Sequence, residues 1–76
     1  MFLKIGQTIT YKAAWGAGET REATIIGLEE VSDGDKYGKN VEQLELWPDG
    51  KNAVLDLSDG HWCYGYQVTQ TEKAFD

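Results

Sequence analysis

Apolar and polar residues alternate along this chain in short runs, and no segment carries a sustained helical stripe. Leu3, Ile5, Ile9 and Tyr11 fall on odd positions with Lys4, Thr8, Thr10 and Lys12 between them, which predicts a first strand from Gln7 to Ala13. Its β-branched residues suit a pleated, half-buried surface. In "EATIIGLEEV" the pattern returns as a second strand with Ile25 and Ile26 on opposite faces. Gly27 interrupts that run, as a bulge or a sharp bend requires. "VEQLELW" predicts a third strand, with Leu44 and Leu46 on one face and Val41, Gln43, Glu45 and Trp47 on the other. "AVLDLS" predicts a fourth strand, and "WCYGYQV" places Trp62, Tyr64, Tyr66 and Val68 on a single face of a fifth.

Turn chemistry separates these runs. "AAWGAGETR" flanks a small residue with Gly16 and Gly18, predicting a loop that reaches positive φ with Trp15 at its mouth. "SDGDKYGKN" breaks the alternation and predicts a mobile loop. "PDGKN" sets proline and Asp-Gly between two alternating runs, a hairpin signal that pairs the fourth strand back on the third. "SDGH" supplies another Asp-Gly turn. Residues 69–76 either extend the last strand or fray, with Phe75 tucking back.

Five short strands with a long first loop, a second loop and two tight turns resemble the SH3-like barrel. SH3, Tudor, KOW-type and many small bacterial or phage domains share this architecture. "KIGQTITYKAAWGAGETREATIIGLEEV" is similar to its first strand, long loop and curved second strand, and "VEQLELWPDGKNAVLDLSDG" to its central hairpin. The resemblance implies an all-β, small five-stranded SH3-like barrel with a long first loop, and a short 3₁₀ turn within "HWCYGYQV" before the last strand. It conveys no function by itself.

The bulk numbers narrow the work such a fold does. Seventy-six residues predict a single domain, because a chain this short buries only about 60% of its unfolded surface and has no apolar material for a second core. The formal charge of −6 opposes phosphate backbones and anionic membranes, so a nucleic-acid partner is argued against. No apolar run approaches the roughly 20 residues that span a bilayer. "MFLKIGQ" lacks the long apolar region of a signal peptide, which predicts a cytoplasmic location. One cysteine and one histidine exclude an internal disulfide and a four-ligand zinc site.

Three groups of residues raise the question of chemistry. Asp59, His61 and Cys63 alternate and share a face if extended, offering an acid, a base and a nucleophile. Side chains at i and i+2 stand roughly 6 to 7 Å apart along a strand, too far for direct proton transfer, and an Asp-Gly turn explains Asp59 without catalysis. The reading is therefore no catalytic residue and no enzyme. "DGD" at 33–35, with Glu29 and Glu30 upstream, lacks EF-hand spacing and reads as a solvated acidic loop, so neither metal nor cofactor is expected.

The aromatic residues carry more. Three tryptophans and four tyrosines exceed what a core this size encloses, since each buries about 150–250 Å² and has a polar tip. Trp15, Trp47 and Tyr37 are expected at the surface, Trp62, Tyr64 and Tyr66 in the core, and Tyr11 fits either side. The predicted binding residues are Tyr11, Trp15, Glu19, Asp33, Asp35 and Tyr37, with Glu22 beside them. Exposed rings and carboxylates in that arrangement suit a small acidic protein-interaction module that holds a peptide or a basic protein surface. The alternatives are a nucleic-acid-associated Tudor- or KOW-like module, whose basic edge would come from Lys12, Arg21, Lys36 and Lys39, and a phage-type acidic decoy inhibitor.

Overall fold

A computed structural model describes residues 1–32, 35 and 37–71. The described residues are mostly strand and contain no α-helix. The strands are β1 (Phe2–Lys4), β2 (Thr8–Lys12), β3 (Thr20–Glu30), β4 (Lys39–Asn40), β5 (Gln43–Glu45), β6 (Ala53–Leu57), β7 (Trp62–Tyr64) and β8 (Val68–Thr71). A tight left-handed turn, Ala14–Gly16, and a 3₁₀ turn, Gly65–Gln67, interrupt them. Every pairing is antiparallel: the larger sheet runs β7-β6-β3-β2-β8 with β4 beside β3, and β1 and β5 form a small separate sheet.

β3 is the strand on which the others are arranged. Its first half pairs with β2, from Thr24 opposite Thr8 to Thr20 opposite Lys12, and its second half pairs with β6. The exchange of partners falls at a register shift between Ile25 and Gly27, where the sequence predicted a bend. Gly27 is required there for a specific reason. A Cβ at this position would meet Asp56 Oδ2 at 2.8 Å, so the missing side chain leaves room for the Asp56 carboxylate of the neighbouring strand. Ile25 turns into the core and Ile26 to solvent, as the alternation requires.

Leu3, Ile9, Tyr11, Ile25, Leu28, Leu55, Leu57 and Cys63 form the deepest part of one apolar cluster, to which Leu44, Leu46, Ala53 and Val68 add. Each fully buried aliphatic side chain contributes about 1.5–3 kcal/mol by leaving water. Ile5 departs from the odd-numbered series. Gly6, at a φ of 92°, turns the chain between β1 and β2; Ile5, in that turn, is left at the surface, and the inward odd-numbered series resumes at Gln7.

The predicted central hairpin does not form. β5 pairs with β1, with Leu44 opposite Leu3, whereas β6 pairs with β3 and β7. Both edges of β6 are already occupied, so no edge is left for β5. The side chain of Asn52 holds the turn instead: its Oδ1 accepts from Trp47 N at 2.9 Å and its Nδ2 donates to Glu45 O at 3.1 Å.

The two other buried amides work in the same way where a ladder stops. Gln7 Oε1 accepts from Lys4 N at 3.2 Å and its Nε2 donates to Phe2 O at 3.3 Å. Gln67 Oε1 accepts from Tyr64 N at 2.8 Å and its Nε2 donates to Lys12 O at 2.8 Å. Among the described residues no buried side-chain polar atom lacks a partner. These amides supply the pairing that regular sheet would have supplied.

Candidate functional site

The last third of the chain places its rings outward. On β7, Cys63 stands opposite Leu55 and is fully buried, so Trp62 and Tyr64, on either side of it, face away from the core. This corrects the expectation that Trp62, Tyr64 and Tyr66 fill the interior: Trp62 is 39% and Tyr66 44% exposed, and Tyr64 is half-buried. The 3₁₀ turn at Gly65–Gln67 then swings Tyr66 onto the same side. Trp62 and Tyr64 meet edge to face at 5.2 Å between ring centroids, and Tyr64 and Tyr66 stack at 5.4 Å and 11°. Three rings thus form a continuous exposed ladder in favoured aromatic geometries.

A groove opens at the Tyr66 end of the ladder. It encloses about 420 Å³ between Tyr66 and the turn at 47–50, with Trp47, Pro48, Glu45 and Asp49 on its walls. The walls are fixed to one another through Gly50, whose φ is 70° and whose Cα packs on the Tyr66 backbone so closely that a Cβ would overlap Tyr66 Cα. A smaller concavity of about 200 Å³ lies at the Trp62 end, lined by Glu29, Tyr37, Val54, Asp56 and Trp62. Each hollow therefore carries two carboxylates beside its rings. A wider depression of about 580 Å³ at Lys4, Ile5, Glu42 and Gln43 carries no ring.

The turn at Ala14–Gly16 lies close to the one at Gly65–Gln67. Ala14 (φ 51°), Trp15 (φ 55°) and Gly16 (φ 94°) are consecutive left-handed residues, which costs about 1–2 kcal/mol for each non-glycine. Hydrogen bonds from Gly16 N and Gly18 N to Ala13 O, at 3.1 and 2.8 Å, hold the strained turn. Its result is a tryptophan 69% exposed, as the sequence predicted.

The predicted binding residues that the structure describes take different places. Tyr11 is 1% exposed and belongs to the core, so it is removed from any binding surface. Its hydroxyl donates to Asp59 Oδ2 at 2.6 Å. Burial first, and the Asp59 carboxylate second, push the Tyr11 phenol up to about 12. Glu19 pairs with Arg21 at 3.0 Å on the surface. Tyr37 is exposed and lines the Trp62 concavity; Trp47 is exposed in the groove. Asp35 is exposed beside Ser32, whose carbonyl accepts from its backbone amide at 2.7 Å. Asp33 lies outside the described residues, as does Gly34 beside it in the acidic "DGD" motif.

Cys63, Asp59 and His61 are not a reactive set. Burial, reinforced by Asp59, pushes the Cys63 thiol up to about 12, the reverse of what a nucleophile needs. Burial raises the Asp59 carboxyl, but hydrogen bonds from the Tyr11 hydroxyl and the His61 amide outweigh it and hold the group below its usual range. Among the described residues no group of histidine, cysteine and carboxylates could hold a metal ion, and no helix is long and apolar enough to cross a membrane. No protein-family model, curated protein or solved structure matches the chain.

Proposed function

We propose that this chain is a small acidic, cytoplasmic protein-interaction module of SH3-like architecture that binds an extended, basic segment of a partner protein along its aromatic face. The strand order β7-β6-β3-β2-β8, with a 3₁₀ turn joining β7 to β8, supports the SH3-like reading. One observation carries the function: the exposed ladder Trp62–Tyr64–Tyr66 ends at Trp47 across a groove that also holds Glu45 and Asp49. Large rings gain much apolar contact for little lost rotamer freedom, which is why they dominate binding hot spots. Glu45 is already paired with the N-terminal amine at 2.8 Å, so Asp49 and the net charge of −6 are what select a cationic partner and raise its encounter rate. The same charge repels phosphates, so the ladder suits a peptide better than the bases of a single strand.

The contact is made by side chains and not by strand addition. The backbone amide of Tyr64, on the outer strand β7, is already taken by Gln67 Oε1 at 2.8 Å, which blocks that edge to a pairing segment. Trp15, presented by its strained turn near Gly65–Gln67, is a further exposed ring.

Titration with a short peptide of alternating lysine and proline, followed by tryptophan fluorescence, tests the reading. Binding is expected to weaken with salt and to fall roughly tenfold or more in Trp47→Ala and in Tyr66→Ala, the loss of about 1.4 kcal/mol or more that a ring at a hot spot carries. Saturable binding of oligothymidylate with none of the basic peptide would overturn it.

A further inference from the structure

The turn at Ala14–Gly16 is strained, yet the side chain it presents takes no part in the core. Left-handed backbone at Ala14 and Trp15 persists only where the surrounding chain imposes it. Here Ala13 O accepts from both Gly16 N and Gly18 N, and Ala13 N donates to Glu19 O at 2.9 Å, which closes the base of the loop. The result is a rigid tip. Residues 13–18 carry no charged side chain, and the exposed Trp15 indole has no hydrogen-bond or ring partner among the described residues. Lys12, at the foot of the turn, is exposed and belongs to neither ion pair found among the described residues.

The groove between Trp47 and Tyr66 is complementary to that tip. Leu46, Val68 and the backbones of Gly50 and Gly65 line it beside the two exposed rings, and its 420 Å³ is room enough for an indole. With Glu45 held by the N-terminal amine, Asp49 is its remaining carboxylate, exposed, with Oδ1 accepting from the Lys51 amide at 3.0 Å. Turn and groove border the same short segment, since the Trp15 turn packs beside Gly65–Gln67 while Gly65 and Tyr66 line the groove.

We infer that the Trp15 turn of one copy seats in the Trp47–Tyr66 groove of a second copy of this chain, and reciprocally, so that the protein self-associates as a symmetric dimer. The inference goes beyond the interaction reading and does not need it; the dimer occupies the groove that a partner segment would take. Two copies at −6 each repel, which restricts association to surface free of like charge. The uncharged turn is such a surface, and Lys12 brings an opposite charge to the Asp49 rim. Tryptophan gains large apolar contact in a pocket, and its N–H finds an acceptor at a carboxylate rim. A turn already held rigid loses little freedom on seating. Because tip and groove border one segment, two copies facing each other there exchange tips, and the pair closes with no tip or groove left over. The contact is small, so the dimer is weak and exchanges rapidly with monomer.

Sedimentation equilibrium of the whole chain tests this, over a roughly hundredfold range of concentration reaching about 1 mM, the regime of small transient contacts. The mass is expected to rise from 8.5 kDa toward twice that value. Trp15→Ala, which removes the tip, and Trp47→Ala, which opens the groove, are each expected to stay at the monomer mass with an unchanged far-ultraviolet circular dichroism spectrum. Lys12→Glu is expected to weaken association several-fold. The two tryptophan variants then complement each other. In nitrogen–proton correlation spectra of labelled Trp47→Ala, the Trp15 indole N–H is expected to shift when unlabelled Trp15→Ala is added, because that chain keeps its groove. Unlabelled Trp47→Ala is expected to leave the signal in place. A monomer mass throughout, a dimer that survives Trp15→Ala, or no shift in the complementing mixture would overturn the inference. A dimer that fails to bind the lysine–proline peptide removes the interaction reading and leaves the self-contact standing. Peptide binding by a chain that stays monomeric removes the self-contact alone.

Discussion

β6 and β7 are two short strands with two faces, and the faces have opposite fates. Toward the interior they present Leu55 and Leu57 with Cys63, all essentially without solvent exposure. Toward the outside the same strands present Val54, Asp56, Trp62 and Tyr64, with Tyr66 following in the next turn. The larger rings are on the outer face, and the smaller leucines and thiol are inside. Sorting by size alone would have placed them the other way. The inner side of a thin sheet protein has room for leucine and cysteine between layers, whereas rings this size carry polar tips that need water or partners. The comparison therefore separates stability from recognition on the same pair of strands.

The largest effect that sharpens it is the removal of a core side chain. Leu55→Ala is expected to cost about 2–5 kcal/mol in urea unfolding, through lost transfer energy and the cavity left behind. Trp62→Ala, one strand away on the outer face, is expected to cost under about 1 kcal/mol although it deletes far more atoms. Equal losses would show that the ladder is structural after all and break the division of labour.

A middle-sized effect tests how firmly the outer face is held in place. Gly50→Ala would drive a methyl group into the Tyr66 backbone at a positive φ. It is expected to lower stability by about 1–3 kcal/mol, as overpacking does, and to weaken peptide binding at the groove together with it. A stability loss without a binding loss would mean that the groove walls move independently.

The smallest effect probes the inner face by pH. The Cys63 thiol and the Tyr11 phenol hold their protons to about 12 in the folded chain, against 9.0 and 10.0 as ordinary values. Between those limits the unfolded chain binds fewer protons than the folded one, so stability falls as pH rises from about 9 toward 12. The urea midpoint is expected to decline between about pH 8 and about pH 10.5, and Cys63→Ala to flatten that decline. A flat profile in the parent chain would show that these groups are wetter than their burial implies.

Much of this was legible along the chain. The alternation placed β2 and β3, Gly27 marked the bend, and the resemblance supplied a 3₁₀ turn between Trp62 and the last strand, found at Gly65–Gln67. The exposure of Trp15, Trp47 and Tyr37 followed from their position in or beside turns. The β1–β5 sheet and the inverted orientation of β7 were not legible. Asp-Gly chemistry announces that the chain turns, but which strand edge is vacant when it returns depends on β3 and β7 having already taken β6. Gln7, Asn52 and Gln67 gave no sign of their roles either, because an amide in a sequence does not disclose which orphaned backbone groups it will meet. Of the residues proposed for binding, Tyr11 went to the core, since its alternation partner Ile9 fixes that face of β2 inward.

By itself the sequence determined that these segments would be strands, which residues of each strand would share a face, and that the surface would be acidic and rich in rings. Period-two alternation carries that much and no more, because it is symmetric between the two faces. The tertiary structure alone decided which face of β7 would be sealed, and so turned Cys63 inward and gathered Trp62, Tyr64 and Tyr66 into a ladder. That choice depends on the volume available opposite Leu55 and on the turn that packs Gly50 against Tyr66, and both are properties of chain segments far apart in sequence meeting in space.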